Sequence, residues 1–145
     1  MSTPTGLMEA DVTSSTLSKA QLRAGLSRLI AQGLEAARRT PAEEAWRHLE
    51  RGHILSQPFA GLHVKVHVHM IRRAFRDRNW RELVGQLPRL VLAGPGSLLG
   101  RYPRGNRGTT TISMFRPEPM PSDLASLLSE DPKDTERSSE EPAAR

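Results

Sequence analysis

Leu22, Leu26, Leu29, Ile30, Gly33 and Ala37 recur at three- and four-residue intervals, the spacing that lines one face of an α-helix. The pattern predicts a helix that starts near Ser18, with Gln21 three residues on as in a capping box. It ends around Arg38-Arg39, where two cations suit the negative pole of the helix dipole. Thr40-Pro41-Ala42-Glu43 predicts a second start, with threonine as the cap, proline in the first turn and glutamate at the capping-box position. That helix is expected to run to about Gln57. Pro58 and Gly61 bracket a short turn, and a third helix is expected from the 59–62 stretch to Arg76. Asp77-Arg78-Asn79 breaks it. Asn79 then caps a fourth helix, with Glu82 three residues later and Leu83, Val84, Leu87, Leu90 and Val91 as its apolar side. Pro88 is expected to kink or divide this helix, and Gly94-Pro95-Gly96 to end or bend it.

The character changes after Leu99. Arg101 to Gly108 reads as a loop, and Thr109 to Phe115, with its β-branched bias, as an extended stretch across the helices. Pro117, Pro119 and Pro121 enforce an extended path, and Ser122 caps a last short helix over 123–128. Residues 129–145 are polar and hold no apolar side chain larger than alanine, so a disordered acidic tail is expected there; residues 1–17 lack periodicity and are expected to be flexible. The expected fold is all-α. It is a small bundle of three to four helices over 18–128, built on an antiparallel hairpin and followed by an extended Pro-rich C-terminal segment. Trp46-x-x-Leu49 recurs as Trp80-x-x-Leu83 one tetratricopeptide period later, which predicts a tetratricopeptide-like hairpin. The second copy soon meets Pro88 and Gly94-Pro95-Gly96, so no full array is expected.

Composition narrows the chemistry. The chain has 145 residues, 37% of them hydrophobic, enough for one small domain. No apolar run is long enough to span a bilayer, and the polar start lacks the order of a signal peptide, so a cytoplasmic protein is expected. There is no cysteine, which excludes disulfides, thiolate metal sites and a cysteine nucleophile. Residues 19–128 carry 18 Lys+Arg against 8 Asp+Glu. That balance, with the run Arg72, Arg73, Arg76, Arg78 and Arg81, is compatible with a nucleic-acid-binding module. The cations are scattered rather than massed, which favours arginine as an ordinary surface cation.

All five histidines fall between His48 and His69. At about 100° per residue, His53 shares a helical side with Trp46 and Leu49, while His48 points away. On the third helix His63 and His67 form an i, i+4 pair in line with Met70, Ile71 and Ala74, and His69 lies on the other face. Glu50-x-x-His53 and His63-x-x-x-His67 therefore converge from two antiparallel helices onto one seam. Both are spacings at which two side chains share one ion. Glu50, His53, His63 and His67 are the predicted metal site. With imidazole and carboxylate donors and no thiolate, it suits Zn, Ni, Co, Fe or Cu better than Ca or Mg. Histidines at a helix interface also pack and hydrogen-bond without metal, with Glu50 holding His63 or His67 in one tautomer. If only the histidines ligate, Glu50 is placed as general base of a metal-dependent hydrolase. If Glu50 ligates too, the site is closed and serves storage, sensing or structure. A tetratricopeptide-type protein-interaction scaffold is the remaining alternative.

The stretch His48-Leu49-Glu50-Arg51-Gly52-His53-Ile54-Leu55-Ser56-Gln57, followed by His63-Val64-Lys65-Val66-His67, Trp80-Arg81-Glu82-Leu83-Val84-Gly85-Gln86, Gly105-Asn106-Arg107-Gly108 and Phe115-Arg116-Pro117, resembles a bacterial family catalogued only as a domain of unknown function, number 3703. The resemblance spans about Leu29 to Leu128. It implies no established activity, and an expected neighbourhood of metal-resistance genes adds slightly to the metal reading. The chain departs from it at Arg107, where Gly-Asn-Thr-Gly is expected. The Gly105–Gly108 run itself reads as a tight turn, with an anion-binding loop helped by Arg104 and Arg107 as the alternative.

Overall fold

The computed structural model describes residues 19–128, which form α1 (Lys19–Arg39), α2 (Ala42–Ser56), α3 (Ala60–Arg76), α4 (Trp80–Leu98) and α5 (Ser122–Leu128). The fold is all-α, with no strand among the described residues. The expected Ser18 cap, the flexible 1–17 segment and the disordered 129–145 tail lie outside them. No helix among the described residues is long and apolar enough to cross a membrane. α1 packs chiefly on α2, and α3 on α4; α2 and α3 join the two hairpins, and α5 returns to α2.

The apolar core is one-sided. Leu22, Leu26, Ile30, Leu34 and Ala37 of α1 meet Leu49, Ile54 and Leu55 of α2, Val66 and Met70 of α3, and Leu124 and Leu128 of α5. Each large aliphatic side chain buried there contributes roughly 1.5–3 kcal/mol. α4 adds nothing to this cluster. Its buried residues are Glu82, Gln86, Arg89, Ala93 and Ser97, while Val84, Leu87 and Val91 are exposed. The apolar side read from the sequence thus faces outward at Val84, Leu87 and Val91. The face it meets is a polar interior between α2, α3 and the 105–112 loop, where hydrogen-bonding side chains are matched and alkyl groups would leave donors unpaired.

Other local expectations changed for equally local reasons. α4 runs unbroken through Pro88 and Pro95. Val84 and Val91, four residues earlier, are exposed, so the carbonyls that lose their helical partners lie on the solvent side. The Thr40 hydroxyl donates to the Ala36 carbonyl (3.1 Å) and closes α1; the N-cap of α2 is Pro41, without a side-chain bond. Asn79 does cap α4, accepting from the Glu82 amide at 3.1 Å. Trp46 is the fifth residue of α2 and donates from Nε1 to Asp77 (3.2 Å), whereas Trp80 opens α4 and is exposed. The 34-residue spacing thus joins two structurally unlike positions. Thr109 to Phe115 form turns and bends instead of an extended stretch. Their backbone bends inward because Arg89 donates to the Thr109 and Ile112 carbonyls, at 3.2 and 2.7 Å.

Arg73, one of the basic run, is buried and structural. It donates to the carbonyls of Ala37 (2.9 Å) and Thr40 (3.2 Å) at the end of α1 and pairs with Asp77 (2.7 Å). It thereby satisfies carbonyls that a helix C-terminus leaves without partners.

Candidate metal centre

The last turns of α2 are enclosed: Gly52 to Gln57 are all buried. His53 projects from this stretch toward α3, where His63 and His67 stand one turn apart on the inner face. The three are 3%, 5% and 2% exposed. Nε2 of His53 lies 2.9 Å from Nε2 of His63 and 3.2 Å from Nε2 of His67. The ring centroids form a near-equilateral set at 4.7, 4.8 and 4.9 Å.

The opposite ring nitrogens decide what those Nε2 atoms are. His53 Nδ1 lies 2.8 Å from the Asn106 carbonyl, which can only accept. His67 Nδ1 lies 2.6 Å from Gln86 Oε1. The orientation of that amide is fixed, because its Nε2 donates to Glu82 (2.7 Å) and to the Gly108 carbonyl (2.8 Å). His63 Nδ1 lies 2.8 Å from Ser97 Oγ, whose own proton goes to the Gln57 carbonyl at 2.6 Å. The network therefore assigns an Nδ1–H to all three rings. In the neutral state each Nε2 is then a bare lone pair, and three lone pairs face one point with no proton among them.

A proton does not resolve this at neutral pH. Burial, first, and the neighbouring histidines hold His53 well below the usual imidazole range and push His63 down to about 3; burial, with Arg89 nearby, pushes His67 down to about 4. A multivalent cation does resolve it. Tetrahedral bonds of about 2.0–2.1 Å set neighbouring donor nitrogens roughly 3.3 Å apart, close to the spacing present. Among the described residues the His53, His63 and His67 donors, all within 4.8 Å of one another, are the one such group of side chains that can hold a metal ion.

Glu50 is not in that group. It is half-buried on α2, its carboxyl raised by burial, with Arg107 acting against the rise and Glu118 and Glu82 adding to it. Two of the charges acting on it, Arg107 and Glu118, belong to the loop segment that follows α4. His48 stands 3.8 Å from the Glu44 carboxylate on the outer side of α2, and His69 lies beside Lys65 and Arg72, its pKa lowered by burial; both are outside the cluster.

The supporting residues were not identified from sequence. Gln86 and Ser97 belong to the stripe Glu82, Gln86, Arg89, Ala93, Ser97, which recurs at helical spacing in an otherwise apolar helix. That stripe was the available signal. Glu82 continues the relay outward from Gln86, accepting from the Thr110 amide (3.0 Å) and hydroxyl. Asn106 is buried and locks its loop. Its amide donates to the Ser113 (3.0 Å) and Arg116 (2.6 Å) carbonyls, and its Oδ1 accepts from Gly108 N (2.8 Å). The Gly105–Gly108 run is thus a turn, with both glycines at positive φ, and it delivers the acceptor for His53. Arg107, the departure from the expected loop, pairs with Glu118 at 3.3 Å.

On its remaining side the cluster opens onto a cavity of about 240 Å³, walled by Leu92, Leu99, Met114 and Phe115 and also lined by Arg89. Two guanidinium nitrogens of Arg89 bind carbonyls of Gly85, Thr109 and Ile112, while its buried Nε has no partner. Three nitrogen donors with one open side form an arrangement that can accept water or a small ligand as a fourth group.

No curated protein and no solved structure matches the chain. A family model described only as "Protein of unknown function (DUF3703)" matches residues 20–128, and the chain belongs to that family.

Proposed function

We propose that the protein binds one transition-metal ion through Nε2 of His53, His63 and His67, leaving a fourth position open to the cavity. The observation that carries the proposal is the set of three Nδ1–H donors, each held by a fixed acceptor, which turns three lone pairs onto one point. Outer partners that fix tautomer and ring orientation are a regular part of histidine metal sites. Three neutral imidazoles without carboxylate or thiolate suit Zn, Cu, Ni, Co or Fe, and suit Ca or Mg poorly. Glu50 stays outside this ligand set. Three neutral donors also leave the full charge of a divalent ion uncancelled, which favours an anion or hydroxide as the fourth ligand.

The test is metal analysis of the full chain, stripped with chelator and then loaded with Zn(II), Co(II), Ni(II) or Cu(II). One equivalent is expected, with a visible Co(II) spectrum of a low-coordinate nitrogen site. Both are expected to disappear in His63→Ala and His67→Ala. Folded protein that retains no stoichiometric metal, and whose melting temperature no ion raises, would overturn the proposal.

A further inference from the structure

α4 carries an outer face that nothing in the described chain covers. Of the eleven large hydrophobic side chains exposed among the described residues, seven belong to α4 or to its C-cap Leu99. Charge is nearly absent from this face. Glu82 and Arg89 are buried, and apart from Arg81 in the first turn no other charged residue occurs before Arg101.

The exposed residues are also ordered. Trp80, Val84, Leu87, Val91 and Leu98 follow one another at intervals of four, three, four and seven, the a and d positions of a heptad. Such a seam is narrower than the stripe with which a helix lines a globular core, and it is the pattern by which one helix packs along another. The fold itself makes no use of it, because the side of α4 turned inward is the polar one that supports the histidines.

We propose that this seam is a homodimer interface, in which α4 packs along α4 of a second copy about a two-fold axis. A heptad seam calls for a helix bearing a matching seam, and among the described residues α4 alone leaves one uncovered. An uncharged face pairs with itself without like-charge repulsion, as an isologous contact requires. The area is sufficient. α4 is about 28 Å long. With on the order of 100 Å² exposed per large apolar side chain, the seam flanked by Phe75, Leu99 and Phe115 approaches the ~800 Å² per partner of a standard interface. Leu99 and Phe115, 70% and 75% exposed, also wall the cavity beside the histidines, so the second copy covers its mouth. The inference stands whether or not a metal binds.

Sedimentation equilibrium of the full chain tests it. A dimer is expected in the low-micromolar range, and Val91→Glu, at a site 71% exposed, is expected to yield monomer with unchanged helicity, and with a melting temperature that does not depend on protein concentration as that of the native chain does. Since the chain has no cysteine, Val91→Cys supplies a second readout. It is expected to give a covalent dimer with diamide, while Arg28→Cys on the exposed side of α1 does not. A native chain that stays monomeric to 200 µM, or a Val91→Glu variant that remains dimeric, overturns the proposal. So does a monomer that instead sediments with phospholipid vesicles.

Discussion

Gly108 offers the sharpest probe of how the loop and the histidines depend on each other. It sits at φ +80°, and a Cβ built there would lie 2.6 Å from Cδ2 and 2.7 Å from Nε2 of His53. Ordinary non-bonded carbon contacts begin at about 3.5 Å, so Gly108→Ala drives the ring back by roughly 1 Å. The ring is tethered by its Nδ1 bond to Asn106, 2.8 Å long, so any retreat stretches that bond or turns Nε2 off the shared point. Metal sites tolerate only about 0.2 Å in ligand distance. The displacement exceeds that several-fold. A separate backbone cost of about 1–2 kcal/mol accompanies any non-glycine residue in this left-handed region. Gly100→Ala isolates the backbone cost, because Gly100 is at φ +64° with nothing within 4 Å of its would-be Cβ. Thermal denaturation of both metal-free variants is expected to show a loss of ~4 °C or more. Chelator-competition titrations are expected to separate them, with native affinity for Gly100→Ala and a loss of tenfold or more for Gly108→Ala. A Gly108→Ala protein that binds metal with native affinity and stoichiometry would refute the assignment of His53 as a ligand held by this loop.

Gln86→Leu removes the acceptor of His67 Nδ1 and the donor to Glu82; metal affinity is expected to fall about 10–100-fold in the same titration. The metal-free protein is expected to lose stability as the pH falls from about 6.5 toward 4. Its folded His63 and His67 sit at about 3 and about 4, so the unfolded chain takes up protons first. Urea midpoints that stay level between pH 7.5 and pH 5 would contradict the burial of neutral histidines. Arg73→Met breaks a partly buried ion pair with Asp77 and frees two carbonyls at the end of α1. It is expected to cost about 3 kcal/mol of folding stability in urea titrations, with metal affinity unchanged.

The helices, their order and the split between inward and outward histidines were legible in the sequence because they depend on periodicity, and a 3.6-residue repeat assigns a face from neighbouring residues alone. Asn79 as a cap, the break at Asp77-Arg78-Asn79 and the pairing of His63 with His67 are local in the same sense. Glu50 was drawn into the predicted site because spacing along α2 places it beside His53. Only the fold shows that the 105–118 loop lies next to it and that the histidine donors gather without it. Which side of α4 turns inward was likewise not legible in the sequence. Periodicity identifies two faces of a helix, and the usual assumption turns the apolar one inward. Here the interior that α4 meets is polar, so Gln86 and Ser97 turn in and Val84, Leu87 and Val91 turn out. The tautomers were beyond any sequence reading. They rest on three acceptors 19, 34 and 53 residues away from the rings they hold. Sequence thus determined which imidazoles share a seam, by helical geometry. Tertiary structure alone decided that their lone pairs meet, because hydrogen bonds across long separations set where each proton sits.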